Sequence, residues 1–205
     1  MKKLFLSFAF IALTGSFLSA HKIPLIYKSD APKDAIHLVY GDASVLKDKH
    51  KVYELFVDFS QAEIVEYDKS FNVERSFGSI GEYNESHGED YVRDWSGELG
   101  LMTHSTGKSL SNALRIEISG DKKADYRIVL KIGQFDFGHF VFLGSTKDGG
   151  TVTKGLLEVY DTTNDEAVAV FDVNYLRGRN IGYGDTDRMR QFGVYFAKGV
   201  KKAVK

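Results

Sequence analysis

Apolar and polar residues alternate along the second half of the chain with a period of two, which is typical of a strand with one buried face. Rows of this kind cover residues 126–132 and 167–175, and a third segment, 151–160, lies between them. The sequence Asp-Gly-Gly at 148–150 precedes this middle segment, and Asp-Thr-Thr-Asn-Asp at 161–165 follows it. Glycine, aspartate and asparagine favour the backbone conformations of tight turns. The pattern therefore predicts three consecutive antiparallel strands, a meander.

Two glycines, Gly133 and Gly138, interrupt the apolar residues that follow the first of these rows. A glycine in such a place commonly marks a bulge or bend in the strand. Four phenylalanines surround the break: Phe135, Phe137, Phe140 and Phe142. We expect these rings to lie mostly in the core, and the alternative is that the bent strand presents aromatic surface to a partner or an apolar ligand.

Two other stretches carry apolar residues at helical spacing. In the middle stretch, 89–114, the apolar stripe consists of Tyr91, Trp95, Leu99, Met102, Leu110 and Leu114. In the last stretch, 185–204, it consists of Met189, Phe192, Phe196 and Val200, flanked by the small residues Gly193 and Ala197. Each stretch is expected to form a helix whose stripe packs against other elements.

The remaining segments complete the fold prediction. Residues 52–59 and 115–118 are short apolar runs that predict strands, whereas 68–90 contain several glycines and asparagines, as in a long loop or a broken helix. This order predicts an α+β fold. Its single antiparallel sheet, with a meander of three or more strands after residue 124, would pack against a middle helical segment and a C-terminal helix.

The first twenty residues have the order of a secretory signal. Lys2 and Lys3 precede the apolar run 4–13, and the small residues Ser19 and Ala20 follow it. We expect cleavage after Ala20 and a mature protein in the periplasm or outside the cell, and the alternative is an uncleaved N-terminal anchor. No cysteine follows the signal, so a lipid anchor of the lipoprotein type is not expected.

Length and charge limit the possible domain organisation and the possible partners of the protein. Residues 21–205 are long enough to bury one core and are expected to form a single α+β domain. The chain has 27 basic and 28 acidic side chains, and removal of Lys2 and Lys3 leaves 25 against 28. This mildly acidic balance argues against a nucleic-acid partner. The rest of the chain contains no apolar run of transmembrane length, so no transmembrane segment is expected in the mature chain.

The sequence contains no established catalytic motif. The six histidines have no acidic neighbours at metal-ligand spacing, and neither a Gly-x-Ser-x-Gly elbow nor a phosphate-binding Gly-x-x-x-x-Gly-Lys run occurs. No metal site, cofactor or catalytic residue is therefore assigned. The nearest approach to a metal or acid–base cluster is His87 with Glu89 and Asp90, within the acidic region 84–94, and the alternative is an ordinary solvated loop.

The connection from the last predicted strand into the last helix holds the candidate ligand-binding residues. Arg177 and Arg179 lie in a glycine-rich stretch that also contains Tyr183. Guanidinium groups beside a helix N-terminus can bind a carboxylate or a phosphate. The alternative is ordinary capping of a glycine-rich loop, because Asp185 and Asp187 would occupy the positive end of the helix.

Three features together support a resemblance: Ala-Asp-Tyr at 124–126, the strand and turn Val-Tyr-Asp-Thr-Thr at 159–163, and the closing helix. With the order of elements from 52 to 202, they resemble secreted domains of unknown function common in Bacteroidetes. More distantly, they resemble the periplasmic α/β domain of the curli-secretion lipoprotein group. The resemblance implies an exported domain and transfers no functional residue. The sequence shows no amphipathic pair of hairpins that would build a pore.

Two functions are compatible with these observations. The first is a non-enzymatic accessory module of the cell envelope, which would bind a protein or a glycan through residues 68–90 and 176–184. The second is a hydrolase that uses aspartate, glutamate or histidine from residues 84–94. A cleft that gathers two of these acidic groups and a histidine would favour the hydrolase.

Overall fold

The computed structural model describes residues 35–68, 70–86, 95–137, 151–177 and 185–205. The chain divides into two compact units, 1–30 and 31–205, and every described residue belongs to the second. The described strands are β1 (Ala35–Gly41), β2 (Val52–Asp58), β3 (Glu63–Tyr67), β4 (Val73–Phe77), β5 (Glu117–Ile118), β6 (Tyr126–Asp136), β7 (Val152–Asp161) and β8 (Glu166–Arg177). The helices are α1 (Ile80–Ser86), α2 (Trp95–Leu114) and α3 (Asp185–Ala203), with a 3₁₀ helix at Ala43–Lys47.

The strands form one mixed sheet in the order β1-β8-β7-β6-β2-β5. Strands β2 and β3 both run parallel to β6, with β2 along its first half and β3 at Gln134 and Phe135. Strand β5 runs parallel to β2, and β4 pairs with β3 in an antiparallel hairpin. The α+β class is observed, but the prediction of a single antiparallel sheet is wrong.

The parallel pairs follow from what separates the strands in the chain. Antiparallel neighbours can be joined by a tight turn, whereas parallel neighbours need a long crossover. Between β2 and its parallel neighbours β5 and β6, the chain contains both α1 and α2. The alternation of side chains in a strand identifies the strand, but it carries no information about the direction of the neighbour.

The meander prediction is confirmed, because β6, β7 and β8 are consecutive antiparallel neighbours. The predicted bulge occurs at Gly133, where the register shifts between Ile132 and Gln134. Phe135 and Phe137 lie in the core, as expected. Gly138, Phe140 and Phe142 lie outside the described residues.

Both long helices pack against each other and cover one face of the sheet. Their predicted stripes are largely confirmed: fully buried side chains are Met102, Leu110, Met189, Phe192, Phe196 and Val200. Residues 89–94, including Tyr91, and the side chain of Trp95 lie outside the described part. Gly193 sits at the helix crossing, where a Cβ atom would come within 2.6 Å of the Thr106 backbone nitrogen. The small residue at this position is required by the close approach of α2 and α3.

Asp125, in the Ala-Asp-Tyr sequence, links three elements. Its carboxylate accepts hydrogen bonds from the Val52 backbone N–H at 2.9 Å and from Lys51 Nζ at 3.0 Å. These two interactions, the Val52 bond first, lower the pKa of Asp125. Its carbonyl accepts a bond from the Thr162 N–H in the β7–β8 turn. The motif therefore fixes the start of β2 and this turn to the start of β6.

The prediction of a long loop or broken helix at 68–90 is largely wrong. Residues 73–77 form β4 and residues 80–86 form α1. Tyr83 of α1 anchors the helix in the core, because its ring lies 5.2 Å from the ring of Phe77 and 5.1 Å from that of Phe137.

In the described part of the chain, every helix is too short or too polar to span a bilayer.

The face of the sheet turned away from the helices is called the open face here. Its middle carries ion pairs between neighbouring strands, with Arg127 Nε 2.8 Å from Glu54 Oε1 and Lys131 Nζ 2.6 Å from Glu158 Oε2. The Phe56 side chain lies among them and is 50% exposed. Ion pairs therefore dominate the middle of the open face, and a group of aromatic residues lies at one end of it.

Candidate functional site

Aromatic and basic side chains meet on the open face where β3, β6, β7 and β8 come together. This group, called the aromatic–cation cluster, consists of Tyr67, Phe71, Lys154, Tyr175 and Arg177. Its rings pack on Val65 and Val152 and form a small apolar centre separate from the main core. Tyr67 is buried, and the other four side chains are half-buried.

Phe71 reaches the cluster through an unusual turn between β3 and β4. The Asp68 carboxylate accepts bonds from the backbone N–H groups of Ser70 and Asn72, both at 2.8 Å, and so closes the turn. Hydrogen bonds from Asn72, side chain first, lower the pKa of Asp68. Phe71 itself has φ +63°, in the left-handed region where glycine or asparagine is usual. For an L residue with a side chain this conformation costs about 1–2 kcal/mol.

Tyr175 reaches the cluster through a bulge in β8. Thr153 pairs with Leu176 and Gly155 with Val173, so that Asn174 and Tyr175 together face the single residue Lys154. Tyr175 has φ +48°, the second aromatic residue of the cluster in the left-handed region. A bulge of this kind redirects a side chain relative to the regular alternation of the strand. Here it brings the Tyr175 ring towards Tyr67 and Phe71.

The three rings contact one another at tilted or edge-on angles. Ring centroids are 5.6 Å apart for Tyr67 and Tyr175, 5.7 Å for Phe71 and Tyr175, and 6.3 Å for Tyr67 and Phe71. These distances are within the range of favourable aromatic pairs, each worth about 0.5–1.5 kcal/mol beyond the area it buries. The contacts therefore offset the cost of the two left-handed residues.

Each cation of the cluster lies over one of the rings. The Arg177 guanidinium carbon is 4.1 Å from the Phe71 centroid, and Lys154 Nζ is 4.5 Å from the Tyr175 centroid. The negative face of an aromatic ring attracts a cation at this distance. Both charged groups are thus held at defined positions at one end of the open face.

A polar network, called the Gln134 network, adjoins the rings. Gln134 Oε1 accepts bonds from Tyr67 OH at 2.8 Å and from Lys154 Nζ at 3.0 Å, and Gln134 Nε2 donates to Glu63 at 2.7 Å. Lys154 Nζ also lies 3.2 Å from Tyr175 OH. Hydrogen bonds from Ser76 and then Gln134 lower the pKa of Glu63. An amide, a carboxylate, an ammonium group and two phenols therefore lie side by side.

Of the predicted binding residues, the structure describes Arg177 and places it at the end of a strand. Arg177 is the last residue of β8 and contacts Phe71, so it belongs to a strand and not to a flexible loop. Arg179 and Tyr183 lie outside the described residues. Phe71, from the first of the two segments proposed for binding, 68–90, contacts Arg177 from the second, 176–184.

Sequence reasoning missed Tyr67, Phe71, Lys154 and Tyr175. The Asp68 turn was visible as an aspartate followed by a serine and an asparagine, which is a turn signal. Nothing in the sequence marks Phe71 or Tyr175 as left-handed, because aromatic residues rarely adopt that conformation. These side chains become recognisable as one group only when the strands are placed.

The region assigned to the alternative hydrolase is described only in part. Asn84, Glu85 and Ser86 form the end of α1, and Glu85 is exposed there, whereas residues 87–94 lie outside the described part. Among the described residues, no group of three histidine, aspartate or glutamate side chains is arranged to hold a metal ion. A shallow cleft lies next to the start of α1, and its lining includes the hydroxyl residues Ser60 and Ser79 but no titratable side chain.

Comparison with solved structures shows remote likenesses. No protein-family model matches the chain, and no curated protein matches it. Among solved structures, the PelC dodecamer from Paraburkholderia phytofirmans aligns over 80% of this chain and 96% of its own, with 11% identity and a TM-score of 0.38.

Two further similar structures belong to families that are defined as domains of unknown function. A DUF330 protein from Xanthomonas campestris aligns over 85% of this chain and 82% of its own, with 8% identity and a TM-score of 0.32. A DUF4136 protein from Bacteroides thetaiotaomicron aligns over 86% of this chain and all of its own, with 11% identity and a TM-score of 0.33. These neighbours agree with the resemblance to domains of unknown function, and at such TM-scores they carry no functional argument.

Proposed function

We propose that this protein is a non-catalytic, exported module of the cell envelope that binds an envelope protein or glycan through the aromatic–cation cluster. One observation carries the proposal. Two aromatic residues in left-handed conformations, Phe71 and Tyr175, bring their rings together beneath two cations on the open face. Unfavourable backbone conformations that persist in a folded protein cluster at binding sites and other functional positions.

The position of the cluster suits recognition. Tyr175 and Arg177 belong to β8, a long strand that lies second from one edge of the sheet, and Lys154 belongs to its neighbour β7. A site on strands is held more rigidly than a site on loops, so a ligand loses less free energy in ordering it. Arginine and tyrosine are also the side chains most enriched among residues that dominate binding energy.

In this proposal Arg177 contacts an anionic group of the partner. A guanidinium group that stacks on a ring keeps its N–H donors in its own plane, where they can bond a carboxylate or a phosphate. Arg179 and Tyr183 follow within six residues of Arg177 and would extend the contact.

Export is the second part of the proposal. It is supported by the charged, apolar and small-residue order of the first twenty residues. We propose cleavage after Ala20 and a mature protein that begins at His21 in the periplasm or outside the cell. N-terminal sequencing of protein from its own cells tests this directly. Met1 on protein recovered from the cytoplasm would contradict it.

Affinity capture from the native envelope fraction tests the binding function. The tagged wild-type chain should retain a defined partner that Arg177→Ala loses. Lys202→Ala serves as the control, because it removes one positive charge from an exposed position near the end of α3. Equal capture by wild type and Arg177→Ala would contradict binding through the cluster.

A further inference from the structure

We propose that the edge strand β1 is a second binding surface, to which an extended acidic segment of another protein adds as a further strand. This surface does not use the aromatic–cation cluster, so the inference goes beyond the binding function proposed above. Two features carry it: apolar side chains are exposed on an edge of the sheet, and a basic helix runs beside that edge.

Strand β1 has a neighbour on one side. Among the residues that the structure describes, it pairs only with β8, and it is the last strand at its side of the sheet. An edge strand presents backbone N–H and C=O groups to which another strand can add. The seven residues of β1 are long enough for such pairing.

The side chains of β1 do not protect this edge with charge. Leu38 is 38% exposed and Val39 is 40% exposed, and the strand contains no aspartate, glutamate, lysine or arginine. Folded proteins usually guard an edge strand with charged side chains. Strand β4, whose one described neighbour is β3, exposes Glu74 and Arg75 in this way. The contrast identifies β1 as the edge that is suited to pairing.

A bulge determines where an added strand can pair with β1. The register with β8 shifts between Leu38 and Tyr40, so Val39 has no partner on β8. A bulge disrupts the ladder locally, and residues 35–38 therefore offer the regular part of the edge. Val39 follows them directly and can pack against an apolar side chain of the added strand.

The helix beside this edge is basic. Helix α3 packs on β1 at Gly199, where an added Cβ atom would lie 2.9 Å from Ile36 Cδ1. Residues 194–205 contain no acidic residue and four lysines, all of them exposed: Lys198, Lys201, Lys202 and Lys205. Their charges act together on the side of β1 that faces the helices.

The acidic side chains around β1 do not cancel this charge. The connection that follows β1 is balanced, because residues 42–49 contain two lysines and two aspartates. Asp172 of β8 lies 3.3 Å from His37 Nε2. Even with His37 neutral, Asp172 adds one negative charge against the four lysines of α3. Glu166 lies beyond the end of the β1 ladder, which stops at Ala169. An acidic strand is therefore attracted to this edge.

A second copy of this chain fits the edge less well. Antiparallel pairing of two β1 strands would place two α3 helices side by side on the same face of the joined sheet. The exposed lysines of one helix would then approach those of the other, and such like-charge contacts are unfavourable. An extended acidic segment brings the opposite charge and no helix.

Peptide binding to the full chain, as isolated from its own cells, tests the inference by fluorescence anisotropy. The probe is a peptide of about nine residues that alternates valine and glutamate. It should bind, and more weakly at about 300 mM than at about 50 mM NaCl, because salt screens the attraction. A counterpart with lysine in place of glutamate should bind about tenfold more weakly or worse. A third peptide with alternate backbone amides methylated should not bind, because strand addition needs its N–H groups.

Variants on the two edges locate the binding. Leu38→Glu should weaken the acidic peptide by about tenfold or more, because it places a like charge on the edge. Val39→Glu repeats the test at a position without a partner on β8, with folding of both checked by urea titration. The matched control is Val73→Glu, at a 45% exposed position on β4, which should bind as wild type does. Hydrogen exchange on binding should slow at 35–41 and not at 73–77.

Each contrary outcome overturns the proposal. If the acidic peptide does not bind, or the lysine peptide binds equally well, the acidic partner is wrong. Equal binding of the methylated peptide excludes strand addition. If the wild-type chain sediments as a dimer that Leu38→Glu separates, a second copy covers β1 and the proposal fails. Arg177→Ala should leave peptide binding unchanged, so failure at β1 and failure of the aromatic–cation cluster are distinguishable.

Discussion

The Arg177 guanidinium carbon lies 4.1 Å from the centre of the Phe71 ring, so the end of β8 rests on the turn between β3 and β4. Arg177 was expected in the glycine-rich connection between the last strand and the last helix. Its position at the end of a strand changes what it can do. A cation fixed against a ring presents its donors in a constant direction, which favours selective binding over loose attraction of any anion.

Substitution at Phe71 separates backbone strain from the contribution of the ring. Phe71→Ala keeps the left-handed residue and loses the ring, whereas Phe71→Gly loses the ring and relieves the strain. We therefore expect the glycine variant to be more stable than the alanine variant by about 1 kcal/mol, measured by urea titration. Both should lose affinity for the partner. Equal stability of the two variants would contradict the left-handed conformation at this position.

Replacement of glycine by alanine should have opposite effects on stability at two positions, one in each long helix. Gly193→Ala places a Cβ atom 2.6 Å from the Thr106 nitrogen and 2.8 Å from the Ser105 carbonyl oxygen, so α2 and α3 must move apart. We expect a loss of about 1–3 kcal/mol in unfolding free energy. Gly100→Ala, in α2, meets nothing within 4 Å and should instead stabilise the protein by about 0.5–1 kcal/mol. A gain in stability from Gly193→Ala would contradict the helix crossing.

The last helix should depend on its buried stripe and not on its basic end. Phe196 is fully buried, with its ring 5.8 Å from that of Phe192. Phe196→Ala is expected to destabilise the fold by about 3–5 kcal/mol in urea titrations. Lys201→Ala, at an exposed position in the last turn of the same helix, should change stability by less than about 0.5 kcal/mol. Similar small effects from both would show that α3 is not docked.

The Gln134 network should make stability depend on pH through Glu63. Hydrogen bonds from Ser76 and Gln134 hold the pKa of Glu63 below its ordinary value of 4.5 in the folded protein. A lowered pKa contributes stability above the unfolded pKa, and that contribution is lost as pH falls through the folded value. We expect wild type to exceed Glu63→Gln in stability at neutral pH, with the gap closing below pH 4.5. Urea titrations between pH 3 and pH 7 measure this gap.

The matched control is Glu74→Gln, at an exposed position on β4. This variant should stay close to wild type across the same pH range. A gap for Glu63→Gln that remains constant with pH would mean that the Glu63 carboxylate is not held by the network.

Local patterns in the sequence were enough to identify most elements. The alternation in 126–132 and the stripe through Phe192 and Phe196 each repeat at the fixed period of a strand or a helix. Such a period can be recognised without knowing which elements pack against the segment. Strand direction is different, because β2 and β6 become parallel only through the crossover that contains α1 and α2. That information is distributed over the whole connection.

The cluster could be anticipated only through Arg177. Its glycine-rich surroundings indicated a binding segment, which is a property of a few consecutive residues. Phe71 and Tyr175 come together because a turn and a bulge each place an aromatic residue in a conformation that its side chain disfavours. Propensities predict the opposite at both positions, so sequence reasoning fails where the fold departs from local preference.

The affinity of the folded protein for its envelope partner, compared between wild type and the double variant Arg177→Ala/Arg179→Ala, tests the central claim most directly. If these arginines bind an anionic group of the partner, affinity should fall by about 1.5–3 kcal/mol, while the unfolding free energy in urea falls by only about 0.5–1 kcal/mol for the lost contact of Arg177 with Phe71. If they serve only the fold, the double variant should lose stability and bind as tightly as wild type when affinity is calculated for the folded fraction. The second result would contradict the assignment of the aromatic–cation cluster as the binding site.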